Sequence, residues 1–217
     1  MSNKVFYMPY DPGHSSFVFT QYEYGSLGGE DMNKLQKDID FAAEKGKVIT
    51  SVWYRPGVRD PFMSSLNTDQ IYVRGHGMPG FRSIEGGRGG ERITYTTLAD
   101  RLIASGLKKT YSGKLKLYNC HSAEEGKPGT DPECVGPAFA RLVADEMYSR
   151  GYKSCTYYGY IGSIDSFAKD GSQGKHHYVR ETVKGQSTEV ARASDLRVQF
   201  KPQVKIRNPG FFARLFN

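Results

Sequence analysis

Short apolar runs alternate with helix-like segments along most of this chain of 217 residues, and this alternation restricts its possible folds more than any other feature. Runs rich in β-branched and aromatic residues predict strands at residues 5–8, 47–54, 70–74, 115–118 and 154–161. Apolar residues recur at helical spacing in residues 32–45, 97–105 and 137–150, where Pro137 suits the first turn. Strands separated by helices favour βαβ units, so we predict an α/β fold with a mostly parallel central sheet and helices on both faces.

The two ends of the chain show a weaker pattern. Residues 16–24 are rich in aromatic residues and predict an extra strand or hairpin arm. Beyond residue 177 we expect only short strands, at residues 177–183, 197–200 and 203–206. No internal repeat or linker divides the sequence, and we therefore interpret residues 1–217 as a single domain.

The chain is basic, with 30 Lys and Arg against 23 Asp and Glu and a formal net charge of +7. This balance favours acidic partners such as nucleic acid, phosphates or anionic membrane. Because no run reaches five or six consecutive like charges, a solvated basic surface is the simpler interpretation and nucleic acid is not the favoured partner.

Cysteine usage and the first residues indicate where the protein acts. Cys120, Cys134 and Cys155 match no disulfide framework, which favours a reducing compartment. The start of the chain lacks the apolar core of a secretory leader, and no uncharged apolar run approaches the length of a membrane span. We expect a cytoplasmic protein, or a bacterial effector that reaches another cell's cytosol by a non-classical route.

Two of the predicted strands lead into residues suited to catalysis. The strand at residues 70–74 is followed by Gly75, His76 and Gly77, and the strand at residues 115–118 by Asn119 and Cys120. Since functional groups of parallel sheets gather beyond the carboxyl ends of the strands, we predict that His76 and Cys120 meet at one sheet edge. A thiol beside an imidazole is the minimal apparatus for nucleophilic acyl transfer.

Three other patterns are weaker. Residues 75–80 match the GxGxxG spacing, but Pro79 and the glycines beyond it disfavour the helix that a dinucleotide site requires. The Cys and His residues lack zinc-type spacing, so we do not expect a metal site. The disfavoured dinucleotide spacing gives no reason to expect an organic cofactor. No GxSxG elbow supports serine hydrolase chemistry.

The segments IYVRGHG and LKLYNCHS resemble the two signature blocks of the clan CD cysteine peptidases, which include caspases, metacaspases, gingipains and the self-cleaving protease domains of bacterial toxins. The resemblance covers about residues 47–160. It implies a caspase-like three-layer sandwich, in which Cys120 attacks a peptide carbonyl and His76 protonates the leaving amine. It also implies that the backbone N–H groups of Gly77 and Cys120 stabilise the oxyanion.

The resemblance says less about substrate preference and regulation. Metacaspases have an aspartate two positions before the nucleophile, where this chain has Tyr118, so a preference for basic residues is not implied. Asp165 and Asp170 follow the last predicted strand, where these peptidases build one wall of the specificity pocket, and a carboxylate there would favour a cationic side chain. Toxin-derived members are activated by inositol hexakisphosphate, and the positive charge of this chain permits a similar anionic activator.

Two further functions stay open beside a cysteine endopeptidase acting on proteins or peptides. One is another thiol acyl-transfer enzyme, such as a deamidase or transglutaminase that uses the same dyad. The other is a basic protein without catalysis, which binds nucleic acid through its phosphates and stacks bases on tyrosine rings.

Overall fold

The computed structural model of the chain describes residues 3–11, 32–86, 91–129, 131–165 and 167–203. Its helices are α1 (Met32–Glu44), α2 (Pro61–Ser65), α3 (Tyr95–Ala104) and α4 (Phe139–Ser149). Its strands are β1 (Lys4–Met8), β2 (Ile49–Trp53), β3 (Gln70–Arg74), β4 (Ser83–Glu85), β5 (Arg92–Thr94), β6 (Lys114–Tyr118), β7 (Thr156–Tyr160), β8 (Ser163–Ile164), β9 (Lys169–Gly171), β10 (Gly174–His176), β11 (Tyr178–Val183), β12 (Gln186–Arg192) and β13 (Arg197–Phe200).

A six-stranded sheet forms the centre of the molecule, in the order β13-β7-β6-β3-β1-β2. The strands β2, β1, β3, β6 and β7 run parallel to one another, and β13 runs antiparallel to β7 at one edge. All five strands predicted from apolar runs belong to this sheet. The prediction of an α/β fold with a mostly parallel central sheet is therefore confirmed.

The two faces of the sheet differ in character because side chains alternate along each strand. One face carries fully buried apolar residues, such as Val73 and Leu115, in a single core with residues of α3 and α4. The other face carries Tyr72 and Lys116. Helix α1 lies over this second face, where Phe41 lines a cavity together with Tyr72.

Smaller antiparallel elements are added to the central sheet. Strands β12, β11 and β8 form a three-stranded sheet, β9 pairs with β10, and β4 pairs with β5. The β11–β12 hairpin turns at Lys184 and Gly185, which both have positive φ (51° and 80°), as the tight hairpin turn requires.

Several sequence predictions need correction. The helix predicted at residues 137–150 begins at Phe139, because Ala138 is extended (φ −52°, ψ 135°), so the placement of Pro137 in the first turn was wrong. Strands β4, β5, β8, β9, β10 and β12 and helix α2 were not predicted, and Gln203 is not in a strand. Residues 16–24 and 204–206 lie outside the described residues.

Candidate active site

The two predicted catalytic residues follow neighbouring strands at the same sheet edge. Strands β3 and β6 pair in parallel, and their register ends with Arg74 opposite Tyr118. His76 and Cys120 each stand two residues beyond this last pair. The structure therefore brings both blocks to one edge of the sheet, as the sequence predicted.

Gly77 lies directly against the segment that carries the thiol. A Cβ atom at Gly77 would stand 2.6 Å from Nδ2 of Asn119 and 2.7 Å from the carbonyl oxygen of Cys120, closer than such atoms approach in real structures. A Cβ atom at Gly75 would stand 2.2 Å from the hydroxyl of Tyr10. Close packing therefore requires glycine at both positions beside His76.

The backbone of His76 is fixed by a β-bridge to the β4–β5 hairpin. His76 N–H donates to the carbonyl of Glu85 (2.8 Å), and Glu85 N–H donates to the carbonyl of His76 (3.0 Å). The imidazole is partly buried. This hairpin, which the glycine-rich sequence did not predict, supports the loop after β3 from its outer side.

Ser122 anchors the loop that carries Cys120. Its hydroxyl is buried, donates to the carbonyl of Leu117 (2.7 Å) and accepts from the backbone N–H of Tyr160 (2.9 Å). Its own carbonyl accepts from Ala140 N–H in helix α4 (2.9 Å). One side chain thus joins the ends of β6 and β7, and the loop after β6 is held in place on three sides.

His121 fastens the same loop to the segment after β7. Its Nδ1 lies 3.0 Å from Oε1 of Glu124, and its Nε2 lies 3.1 Å from Oγ of Ser163. Its backbone N–H donates to the carbonyl of Gly162 (2.9 Å), and its φ of 57° is unusual for a residue other than glycine. In the sequence His121 belongs to the segment LKLYNCHS that carries the resemblance, but no spacing rule predicts its contact with Ser163.

The surroundings of the three thiols differ. Cys120 is partly buried, and its Sγ lies 3.8 Å from the carbonyl oxygen of Ile164 in β8. Burial raises the pKa of Cys155 to about 11. Burial, followed by the neighbouring carboxylates of Asp131 and Glu133, also raises the pKa of Cys134. Both thiols are consequently poor sources of thiolate at neutral pH.

Asp165 and Asp170 occupy different environments. Asp165 is buried, and its carboxylate accepts from Nε of Arg180 (2.9 and 3.0 Å) and from Nζ of Lys169 (2.7 Å). Asp170 is exposed in β9, opposite Lys175. The charge of Asp165 is thus already balanced within the protein, which does not favour its predicted role in binding a cationic substrate, and that role stays a prediction for both residues.

A basic cavity of about 360 Å³ lies between the second sheet face and α1. Its carboxylate Asp38 is engaged by His177 Nε2 (3.3 Å) and by the backbone N–H of Ala168 (2.8 Å). The nearby amine of Lys116 is buried and has a pKa lowered to about 7, first by burial and then by the charges of neighbouring basic groups. The cationic residues that line the cavity are Lys4, Lys45, Lys47, Arg74 and Lys175.

Within the described ranges, no group of three or more His, Cys, Asp or Glu residues is arranged to hold a metal ion. The helices of those ranges are all too short or too polar to cross a bilayer. No family model matches the chain, and no curated protein matches it either.

Proposed function

We propose that this protein is a cysteine endopeptidase with a caspase-like architecture, in which Cys120 is the nucleophile and His76 the general acid and base. One observation carries the proposal: β3 and β6 are adjacent parallel strands in register, and each is followed at the same offset by one member of the dyad. The contact of Gly77 with Cys120 adds support, because it holds the two loops together.

The proposed reaction proceeds through an acyl-enzyme. The thiolate of Cys120 attacks the peptide carbonyl carbon, and the C–N bond breaks as His76 gives a proton to the leaving amine. His76 then takes a proton from water, which attacks the thioester, releases the carboxylic acid and regenerates the thiolate of Cys120. Because enzymes of this type often tighten the contacts of the base only after substrate binds, a loose spacing of the dyad in the free protein is compatible with this role.

Two backbone amides are suited to stabilise the oxyanion. The N–H groups of Gly77 and Cys120 belong to loops that touch at the edge of the sheet. Within the described part of the chain, Gly77 N–H meets no hydrogen-bond acceptor. Backbone donors held rigidly in this way stabilise negative charge without the cost of reorganisation.

The neighbourhood of the thiol fits an extended peptide. Strand β8 lies beside Cys120 and forms an edge of its three-stranded sheet. An exposed sheet edge can bind a peptide by adding it as a further strand. We therefore propose protein or peptide chains in extended conformation as the substrates.

The basic cavity is where we propose that an anionic activator, such as an inositol phosphate, would bind. Its lysines and Arg74 surround a space in which Asp38 is already engaged by His177. Arg74 and Tyr118 line this cavity and are the residues two positions before His76 and Cys120. Ligand binding there would act on the two strands that carry the dyad.

The proposal is tested by incubating the protein with a peptide library and identifying the cut sites. Cleavage should be lost in Cys120→Ala and His76→Ala and retained in Cys155→Ala, since Cys155 bonds the Tyr111 carbonyl away from the loops. Undiminished cleavage in Cys120→Ala would refute the proposal. A mass change in the substrate without chain cleavage would indicate that the protein is a deamidase or transglutaminase and not a peptidase.

Substrate selection is tested on paired substrates that end in Arg and Leu. Asp165→Asn and Asp170→Asn should each be compared with the unchanged protein. A fall in the Arg/Leu ratio of kcat/KM by tenfold, which corresponds to about 1.4 kcal/mol, would assign the cationic pocket to that carboxylate. An unchanged ratio in both variants would remove the acidic pocket from the proposal.

A further inference from the structure

Ser163, His121 and Glu124 form a chain of hydrogen bonds that the proposed peptidase mechanism does not use. Oγ of Ser163 lies 3.1 Å from Nε2 of His121, and Nδ1 of the same ring lies 3.0 Å from Oε1 of Glu124. A hydroxyl on one ring nitrogen and a carboxylate on the other is the order of groups in serine hydrolases. Such triads are recognised by geometry and not by position in the sequence.

The imidazole is held in this orientation from several directions. The carboxylate of Glu124 also accepts from the backbone N–H of Gly162, and His121 N–H donates to the carbonyl of Gly162. The positive φ of His121 is an unfavourable backbone conformation for a residue other than glycine, and the surrounding hydrogen bonds hold it in place. Strain of this kind is found preferentially at functional sites.

The cationic side chain of Arg180 lies opposite Ser163. Ser163 and Arg180 are direct partners in the antiparallel pairing of β8 and β11, so their side chains lie on the same side of the sheet, with Cβ atoms about 5 Å apart. Asp165 binds Nε of Arg180 and fixes the guanidinium. Over the described ranges, the two Nη groups have no hydrogen-bond acceptor, so they can serve a ligand beside Ser163.

The group is accessible from solvent. Ser163 is exposed, and about a quarter of the Arg180 side chain is exposed. The ring of His121 and the carboxylate of Glu124 are exposed to similar fractions, 26% and 31%. A substrate can therefore reach the hydroxyl without movement of the fold.

We propose that Ser163, His121 and Glu124 constitute a second acyl-transfer site, with carboxylic esters as its substrates and Arg180 as the group that stabilises the oxyanion. The Ser163 oxygen attacks the ester carbonyl while its proton passes to Nε2 of His121. The ester C–O bond then breaks, and His121 returns the proton to the leaving alkoxide. Water hydrolyses the acyl-serine by the same route, which restores all three residues.

Esters fit this site better than amides. An alcohol leaves a tetrahedral intermediate more readily than an amine does. A partly exposed base, His121, and one cationic donor, Arg180, are therefore enough to catalyse ester hydrolysis. Glu124 holds the ring in the tautomer that presents Nε2 as a proton acceptor, as the carboxylate does in other triads. The proposal does not depend on the chemistry assigned to Cys120.

The test uses the full chain carrying Cys120→Ala, so that no signal can come from the thiol. The protein is treated with a fluorophosphonate probe, the modified residue is located by mass spectrometry, and hydrolysis of p-nitrophenyl acetate is followed in parallel. We expect labelling at Ser163 and its loss in Ser163→Ala. Glu124→Gln and Arg180→Met should each slow both reactions at least tenfold, and the exposed Ser194→Ala should behave as the parent.

The result that overturns the proposal is equally specific. Absence of label at Ser163, or equal labelling in His121→Gln, would show that the three residues only fasten the loop to β8. Thermal unfolding of each variant separates this from misfolding, and Ser163→Ala removes an exposed hydroxyl without a cavity. Peptide cleavage by the chain with Cys120 intact is measured separately, so failure of either proposal leaves the other standing.

Discussion

Gly77 and Cys120 are in contact although 43 positions separate them: a side-chain carbon on Gly77 would stand 2.7 Å from the carbonyl oxygen of Cys120. The contact fixes the distance between the loops after β3 and β6. Those two loops carry the imidazole and the thiol of the candidate dyad. The relative position of the two loops therefore requires glycine, which has no Cβ atom, at position 77.

Gly77→Ala should impair peptide cleavage without unfolding the protein. The added methyl group must displace either Asn119 or Cys120, and a shift of the nucleophile by a fraction of an ångström lowers the rate. We expect kcat/KM to fall at least tenfold, or about 1.4 kcal/mol. Met78→Ala, at an adjacent residue that is 49% exposed, is the matched control and should retain activity. Full activity in Gly77→Ala would show that the contact is not needed.

Ser122→Ala should destabilise the fold and the loop together. The substitution leaves the N–H of Tyr160 without its buried acceptor, which costs about 1–3 kcal/mol. It also removes one of two donors to the carbonyl of Leu117, which keeps the N–H of Asn119. Urea denaturation should show this loss in the free energy of unfolding. Ser112→Ala, at an exposed serine, should change stability far less. Equal effects of the two substitutions would contradict the anchoring role.

Iodoacetamide at neutral pH should label Cys120 before Cys134 and Cys155. The thiolate is the reactive form, and burial raises the pKa of Cys155 to about 11 and raises that of Cys134 as well. Peptide mapping after brief treatment measures the three rates. Labelling of all three at one rate would exclude an activated thiol at Cys120.

Lys116→Met should change the dependence of stability on pH. The folded pKa of Lys116 is lowered to about 7, so above that pH the unfolded chain holds a proton that the folded chain has released. The free energy of unfolding contributed by Lys116 therefore rises as the pH increases from about 7 towards the pKa of the lysine in the unfolded chain. Between pH 7 and pH 8.5 the unchanged protein should gain roughly 2 kcal/mol relative to Lys116→Met.

Urea denaturation at several pH values measures this difference. Below about pH 6 the difference between the two proteins should be constant, because Lys116 is then charged in both the folded and the unfolded state. Lys108→Met, which removes an exposed lysine that is not among the charges lowering the pKa of Lys116, is the control and should show no such slope. A flat difference across the whole range would place the folded pKa of Lys116 near its ordinary value.

The central sheet could be predicted because its strands are apolar on at least one face. Val73 and Leu115 lie at alternating positions with polar neighbours, and this period identifies a strand without further information. Strand β12 has no such signal, since its sequence QSTEVAR is mostly exposed and is held by backbone pairing with β11. The start of α4 was misplaced because the extended backbone of Ala138 follows from tertiary packing and not from the helical period.

The candidate dyad was predictable for a topological reason. His76 and Cys120 follow strands, and strands of a parallel sheet point to one edge, so sequence position alone brings both residues to the same edge. The contact of His121 with Ser163 follows no such rule, because it depends on how the loop after β6 meets β8. The pairing of Asp165 with Arg180 was hidden for the same reason: the two residues approach only when β8 and β11 pair.

Strands β3 and β6 occupy the middle of the sheet, each hydrogen-bonded on both sides, whereas β2 and β13 are its edges. Local opening begins at edges and termini, and amides of central strands exchange with solvent only when the whole domain opens. The dyad therefore stands on the slowest-exchanging part of the molecule. Fraying of either edge strand leaves the candidate dyad in place. On heating, peptide cleavage and the folded structure should therefore be lost at the same temperature.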